Sequence, residues 1–400
     1  MKFNNLLAIV LAAGLIFIRY KFTIPVLNVG DGVQFATLIT EVPKEKYGKC
    51  QLVFNKMVVT SSGLCKYRVG DEILIKGVVS KGDRGIEIKA DDVSYNKTPW
   101  YGTVLREILQ ARGLVEAKVK EKLPEPEAGL LLGITLGVKN ALPRDFYDKL
   151  VKTGTIHVAV VSGYNISLIL SALLPVFGVI KNRVVRLIIL SVSLLLYATV
   201  VGFNPPVIRA MVMGIISFIG LVTGRQREAL RVLLISCFFI LFAIPSYLTD
   251  ISFQLSFGAS FGMLVFYNKF KNLLRLDLLG LEDGFYGSLS SQVVVLPLIS
   301  FYFGRVSLVS LISNLLSLWV IAPATILGFA LFVLMYVPLV SNIMTFIVYI
   351  LLNYFVLINN FLADISYSKI EVKIGLIGLG VYYILLLGGL TMWKGENTND

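Results

Sequence analysis

The chain has 400 residues, 56% of them hydrophobic, and a mean hydropathy of +0.78. Soluble domains sit near ~45–50% apolar, so the composition excludes an ordinary soluble protein and points to a polytopic α-helical membrane protein. The formal charge of +12 lies in membrane-flanking loops and the N-terminal third. Basic loops are ordinary in membrane proteins, so the charge alone identifies no nucleic-acid partner.

Leu6 to Ile18 is apolar and follows Lys2. Arg19, Tyr20 and Lys21 come next rather than a small-residue cleavage site. Residues 1–20 are therefore expected to form an uncleaved transmembrane anchor with its start in the cytoplasm. Residues 21–98 change character, with short β-rich runs such as CQLVFNKMVV and DEILIKGVVS separated by the turns SSG, VGD and KGDRG. That pattern predicts a small all-β barrel domain, and YRVGDEILIKGVV is similar to OB-fold strands. Cys50 and Cys65 lie in this domain. A disulfide between them and two separate thiols are both open, the former requiring an exported domain.

Residues 99–126 read as an amphipathic interfacial linker, helical over Trp100–Lys122 and broken by Pro124 and Pro126. In Glu127–Val138, glycines at 129, 133 and 137 share one helical face, which suits close backbone packing. This run is too short to span a bilayer. Helices are predicted over Ile156–Ile180, Val184–Gly202, Pro205–Val222, Ala229–Leu248, Ser252–Tyr267, Gly284–Phe303, Leu308–Met335, Ile343–Ala363 and Ile374–Trp393. With the anchor they make about ten transmembrane helices. Residues 127–393 thus form the membrane domain, and 394–400 a polar tail.

Lys181, Arg183 and Arg186 crowd one loop; Arg225, Arg227 and Arg231 crowd the next but one; Lys269, Lys271 and Arg275 crowd the next on that side. Basic loops belong in the cytoplasm, which places residues 21–155 outside the cell membrane.

Four polar groupings interrupt the apolar half. The first is TGTIHVAVVSGYN, carrying the sole histidine, His157, with Ser162 and Asn165. The second is FNPPVIRA, with Asn204 before the prolines and Arg209 about one turn into a helix. Arg209 either snorkels or pairs with phosphate. The third is DISFQLSFGASFG, with Gln254, Ser256 and Ser260. The fourth runs from Gln292 through Pro297 and Arg305 to Asn314. Such groups are either interhelical glue or the lining of a polar path. One histidine excludes a multi-histidine metal site, and no G-x-S-x-G elbow, Walker loop or dinucleotide loop occurs. No enzymatic activity and no cofactor are expected of these residues. Asp250 reads as a helix cap.

The four groupings resemble, in order and rough spacing, those of the ComEC family of competence proteins, the inner-membrane channels for DNA uptake. Thr153, Gly154, Thr155, His157, Ser162, Gly163 and Asn165 match one family segment. Pro206, Arg209 and Ala210 match a P-x-x-R-A segment, and Phe253 to Phe257 an F-Q-L-S-F segment. Pro297, Phe303, Ser307 and Asn314 match a fourth, and Leu130 to Pro143 resembles the glycine-rich lead-in. Two departures stand out. Many members carry a second histidine where Tyr164 and Asn165 stand, and many end in a metallo-β-lactamase-like domain whose metal cluster a single histidine excludes.

The resemblance implies a channel moving single-stranded DNA into the cytoplasm, with a nuclease, a DNA receptor and a cytoplasmic motor as separate partners, and membrane lipid around it. His157, Ser162, Asn165, Asn204, Arg209, Gln254, Ser256, Gln292, Arg305 and Asn314 become the translocation candidates. In the β domain, Phe54 and Tyr67 (with Phe35 and Tyr95) are candidate base-stacking platforms, barrel core being the alternative. Lys56, Lys66, Arg68, Lys76 and Lys89 are candidate phosphate contacts, a solvated face being theirs. A small-solute or ion transporter, or a scaffold presenting the β domain, are the competing functions.

Overall fold

The computed structural model describes residues 14–16, 19–20, 28–46, 48–54, 57–63, 65–82, 85–138, 141–159, 161–222, 228–278, 280–365 and 368–396. Most of the expected N-terminal anchor, together with Lys56, Arg225 and Arg227, lies outside them. Two compact units emerge: Lys21–Glu116, and Met1–Tyr20 together with Ala117–Asp400.

The first unit is a six-stranded sheet: β1 (Gly32–Leu38), β2 (Lys44–Lys46), β3 (Lys49–Phe54), β4 (Met57–Ser62), β5 (Glu72–Gly82) and β6 (Gly85–Lys97). Its order is β1-β5-β6-β4-β3-β2, with β4 and β6 parallel and the remaining pairs antiparallel. Period-two alternation drives Leu52, Val59, Ile73, Ile75, Val79 and Ile88 into one core. Cys50 and Cys65 are joined by a disulfide, with Cα atoms 5.0 Å apart.

Helix α1 (Trp100–Lys122) starts on this sheet and runs across the division between the units. The sequence sets it apart as a linker; its first turns instead complete the sheet's core through Leu105 and Leu109. Gly70 (φ +87°) and Gly102 meet backbone to backbone, where neither has room for a Cβ. Arg106 locks the junction, its Nη2 donating to Asp71 Oδ1 (2.7 Å) and its Nε to Val69 O (2.9 Å). Asp71 also accepts from the Thr98 hydroxyl (2.7 Å) and the Arg68 N–H (2.8 Å). Burial pushes the Asp71 pKa up, but these donors and the Arg106 charge outweigh it and hold the carboxyl below its ordinary value.

The second unit is helical: α2 (Glu127–Leu136), α3 (Arg144–Thr153), α4 (Gly163–Phe177), α5 (Arg183–Val201), α6 (Pro205–Val222), α7 (Ala229–Ala243), α8 (Ile251–Leu274), α9 (Glu282–Phe303), α10 (Ser310–Ser317), α11 (Ile321–Leu334), α12 (Pro338–Ala363) and α13 (Leu376–Glu396). A two-stranded ribbon, β7 (Val306–Ser307) with β8 (Lys369–Ile370), joins the segment after α9 to the one after α12. Among the described residues four runs are long and apolar enough to cross a membrane: α5, α9, Ser310–Leu334 and α12. Helix α8 has the length but is too polar along Gln254, Ser256 and Ser260 to qualify by composition. The described N-terminal residues belong here too, with Ile16 among Ile208, Leu233 and Phe257.

Helix α2 is the axle of this unit. All ten of its residues are buried, and it packs against α5, α11 and α12. At about 15 Å it reaches half of a ~30 Å hydrocarbon core. Its glycines do face close neighbours, but these are carbonyls of irregular segments: Gly129 lies on Ala141 O and Gly133 on Ala159 O. Gly137 instead terminates the helix in the left-handed conformation.

Two helix expectations need correction, and one helix has no counterpart among them. The predicted Ile156–Ile180 helix begins only at Gly163, and the described residues 155–159 and 161–162 before it are irregular. The predicted Leu308–Met335 helix is divided into α10, a 3₁₀ turn at Leu318–Val320 and α11. The amphipathic α3, which buries Phe146, Leu150 and Thr153, was not foreseen.

Candidate functional site

Two buried polar clusters occupy the helical unit. The first grows from the end of α3. Gly154 (φ +76°) closes that helix in the left-handed conformation, with Thr153 and Thr155 flanking it. Both threonine hydroxyls donate to Asn359 Oδ1 on α12, at 2.8 and 2.7 Å, and all three side chains are fully buried. The Asn359 amide is oriented by its own donation to Phe355 O (2.9 Å). A Cβ on Gly154 would lie 2.6 Å from Ser310 Cβ, so only glycine lets α3 meet α10 here.

Ser310 continues the cluster onto α9. Its hydroxyl donates to Gln292 Oε1 (3.3 Å), Gln292 Nε2 donates to Ser288 Oγ (3.1 Å), and Asn314 Nδ2 donates to the same oxygen (2.7 Å). Asn314 Oδ1, Ser290 Oγ and Ser313 Oγ are buried without a hydrogen-bond partner. Unspent polar atoms of this kind mark places where water or a ligand supplies the missing partner.

The second cluster centres on Arg209, one turn into α6. Its Nη1 donates to Ser256 O and Ser260 Oγ on α8, and its guanidinium lies 5.9 Å from the Phe257 ring centroid. The same guanidinium rests on Gly163, the first residue of α4, where a Cβ would collide with Nη2. Nε is buried and unpartnered. Two residues further along α4, the buried Asn165 donates from Nδ2 to Ile134 O (2.9 Å), near the end of the axial helix. A cation held by neutral oxygens in a mostly apolar bundle favours an anion as its missing partner.

The two clusters are spanned by the α8–α9 pair. Gln254 on α8 donates from Nε2 to Leu248 O (2.9 Å) and accepts from the Tyr302 hydroxyl on α9 (2.7 Å). Asp250 caps α8, accepting from the Phe253 N–H (2.9 Å).

The remaining candidates stand apart. His157 is exposed in the irregular segment, and its Nδ1 donates to Gly154 O (3.0 Å), leaving Nε2 as the acceptor of the neutral ring. Ser162 takes the N-cap position of α4 without a side-chain capping bond. Asn204 starts α6 through its carbonyl, which accepts from Val207 N and Ile208 N (3.0 Å each). Arg305 is exposed in the connection after α9.

In the sheet unit, Phe54 is 7% exposed and sits in the core, while Phe35 and Tyr67 pack against it. Tyr67 also donates to Val93 O. These three take the barrel-core alternative, and Tyr95, 56% exposed, does not. Lys66, Arg68, Lys76 and Lys89 are exposed.

Sequence reasoning missed Asn359, Ser288, Ser310 and Tyr302. Asn359 did carry a signal, an amide deep in an apolar run, where polar groups are costly. Ser288, Ser310 and Tyr302 carried none, because serine and tyrosine are common in membrane helices.

The family model described as "Competence protein" matches residues 134–396. Over 213 residues the chain is 25% identical to ComE operon protein 3 of Bacillus subtilis, covering 52% of this chain and 26% of that protein. Over 204 residues it is 32% identical to an uncharacterized protein of Aquifex aeolicus, covering 48% of each. The chain thus spans about a quarter of the first relative and about half of the second. No solved structure matches.

Proposed function

Because the chain belongs to the competence-protein family, we propose that it is the inner-membrane channel that moves single-stranded DNA into the cytoplasm during DNA uptake. One observation carries this reading. Segments scattered from Thr153 to Asn359 converge on two buried polar clusters within one helical unit, and one of them holds an arginine with no carboxylate partner among the described residues. A polyanion needs a polar or cationic lining with no deep trap. Serine, asparagine and glutamine oxygens and amides with a single guanidinium meet that requirement.

In this reading about ten helices span the inner membrane, and residues 21–155 lie outside the cytoplasm. The Cys50–Cys65 disulfide supports that side, since disulfides persist in oxidising compartments. One parallel pair within an otherwise antiparallel sheet supports an OB-like Greek-key arrangement. Exposed Lys66, Arg68, Lys76 and Lys89 are its phosphate contacts in this reading, and exposed Tyr95 its stacking platform. In this reading the helical unit acts as the conduit, and strand degradation, capture and pulling fall to a nuclease, a receptor and a motor that work with it.

The test is uptake of fluorescent DNA into the cytoplasm of a competent host whose own channel is deleted. Rescue by this chain, lost on Arg209→Ala or Asn165→Ala at equal membrane levels, is the expected result. Correct insertion without rescue, combined with solute flux in liposomes independent of DNA, replaces the proposal with a small-solute transporter. Rescue that survives both substitutions, and that the soluble sheet unit supplies alone, replaces it with a scaffold.

A further inference from the structure

At the end of α1 the chain carries Lys118 and Lys122 four residues apart, hence on one helical face. Opposite them runs the first half of α12, one of the membrane-competent helices. Between the two elements lies an open groove of about 410 Å³, lined by Lys122, Leu123 and Pro124 on one side and by Asn342, Thr345, Phe346 and Tyr349 on the other. The α12 residues fall at i, i+3, i+4 and i+7, so one stripe of that helix forms the wall.

The polar floor of this groove is incompletely satisfied. Lys122 Nζ donates to Asn342 Oδ1 (3.2 Å), which leaves further N–H donors on the ammonium. Thr345 Oγ1 is buried and has no hydrogen-bond partner. Lys118 Nζ sits 3.6 Å from the centroid of Tyr336, just before α12. One ammonium group, an amide and an orphan hydroxyl thus line one concavity whose lining contains no carboxylate, and the second ammonium, that of Lys118, stands one turn back on the same helical face. Its outer lip is apolar and open: Phe346 is 64% exposed, and Ile343 and Ile350 continue the exposed strip along α12.

We propose that this groove binds an anionic membrane phospholipid, with its phosphate between Lys118, Lys122 and the Thr345 hydroxyl and its acyl chains along Phe346, Ile343 and Ile350. The charge selects an anion. The continuity of the groove with the exposed apolar strip of a membrane-competent helix selects a lipid rather than a free ion. Aromatic residues such as Tyr336 and Tyr349 beside lysines suit the headgroup level of a bilayer. Basic pockets next to membrane helices hold lipid headgroups by the same electrostatics. The site lies apart from both polar clusters and does not depend on DNA transport.

The full chain, purified in a neutral detergent, is titrated with fluorescent phosphatidylglycerol and with fluorescent phosphatidylcholine of the same chain length. Tighter binding of phosphatidylglycerol is expected, with each of Lys118→Gln and Lys122→Gln reducing that preference about 5-fold. Thr345→Val, which keeps the side-chain shape, reduces it further while leaving phosphatidylcholine binding unchanged. Equal binding of the two lipids by the unmodified chain, or a preference that survives the double lysine substitution, overturns the proposal. Displacement of the lipid by millimolar inorganic phosphate or by a single-stranded oligonucleotide also overturns it, by assigning the groove to a free anion or to the transported strand. Because the readout is lipid binding, its failure leaves the channel proposal untouched, and the reverse holds as well.

Discussion

Arg209 is a cation surrounded by neutral oxygens, and Asn359 is a neutral amide on which two buried hydroxyls converge; they make opposite predictions. Removing the Arg209 charge by Arg209→Gln relieves a buried ion of an uncompensated desolvation cost, so folding is expected to be unharmed or improved. Uptake, if the guanidinium meets the strand's phosphates, falls by roughly 10-fold or more, because a planar fork matches phosphate as no amide does. Thermal unfolding of the purified protein and DNA uptake at matched membrane levels separate the two effects. Asn359→Leu does the reverse. It removes the acceptor that the Thr153 and Thr155 hydroxyls share, leaving Thr155 only the Thr153 hydroxyl (2.8 Å), at a cost of about 1–3 kcal/mol. Thr153 falls at the low end, since Lys149 O and Leu150 O remain in reach at 3.2 and 3.3 Å. At this scale the sequence exposed the arginine, because a charge in an apolar run is conspicuous. It could not expose which hydroxyl meets which amide, because that pairing joins residues some two hundred positions apart.

Helix boundaries were legible where the chain is punctuated. Trp100–Lys122 follows Pro99 and precedes Pro124, and Pro205–Val222 opens on a proline pair; both ranges were read from the sequence as they stand in the structure. The reading failed at residues 156–159 and 161–162, whose apolar residues resemble helix. The left-handed turn at Gly154 and the extended backbone at Ser162 hold that segment irregular. The irregular turn puts Ala159 O against Gly133 on the axial helix, so Gly133→Ala is expected to overpack the contact and destabilise by about 1–3 kcal/mol. A drop in the thermal midpoint checks this. The sheet unit makes a pH prediction. The Asp71 pKa is lowered by folding, so its contribution is complete above the ordinary aspartate value of about 3.9 and is lost as pH falls through the lower folded value. Unfolding midpoints taken from pH 6 downward fall in that range, and Asp71→Asn flattens the decline while lowering the plateau.

The molecule as a whole combines a disulfide-bonded sheet unit with a helical unit whose basic loops alternate along the chain. These two features are chemically independent, and both bear on sidedness. A disulfide persists on the oxidising side, and lysine- and arginine-rich loops stay on the cytoplasmic side. If residues 21–155 lie outside and the Lys181 loop inside, a membrane-impermeant thiol reagent distinguishes two variants built on Cys237→Ser, each with one free thiol besides the Cys50–Cys65 disulfide. Both positions are exposed: Lys89 on β6 and Lys181 between α4 and α5. Lys89→Cys is expected to label in intact cells and Lys181→Cys only after permeabilisation. Labelling of both from one side removes the odd number of crossings between them and with it the ten-helix arrangement. The short axial helix α2 and the irregular segment before α4 are the elements that hydropathy alone cannot place, since neither is long enough to cross. An unwound segment at membrane depth is tolerated only where protein or water satisfies its backbone. The Thr155, Val158 and Ala159 amides donate to Leu150 O (3.0 Å), Thr155 O (2.9 Å) and Ile156 O (3.2 Å), which supplies the protein part of that requirement.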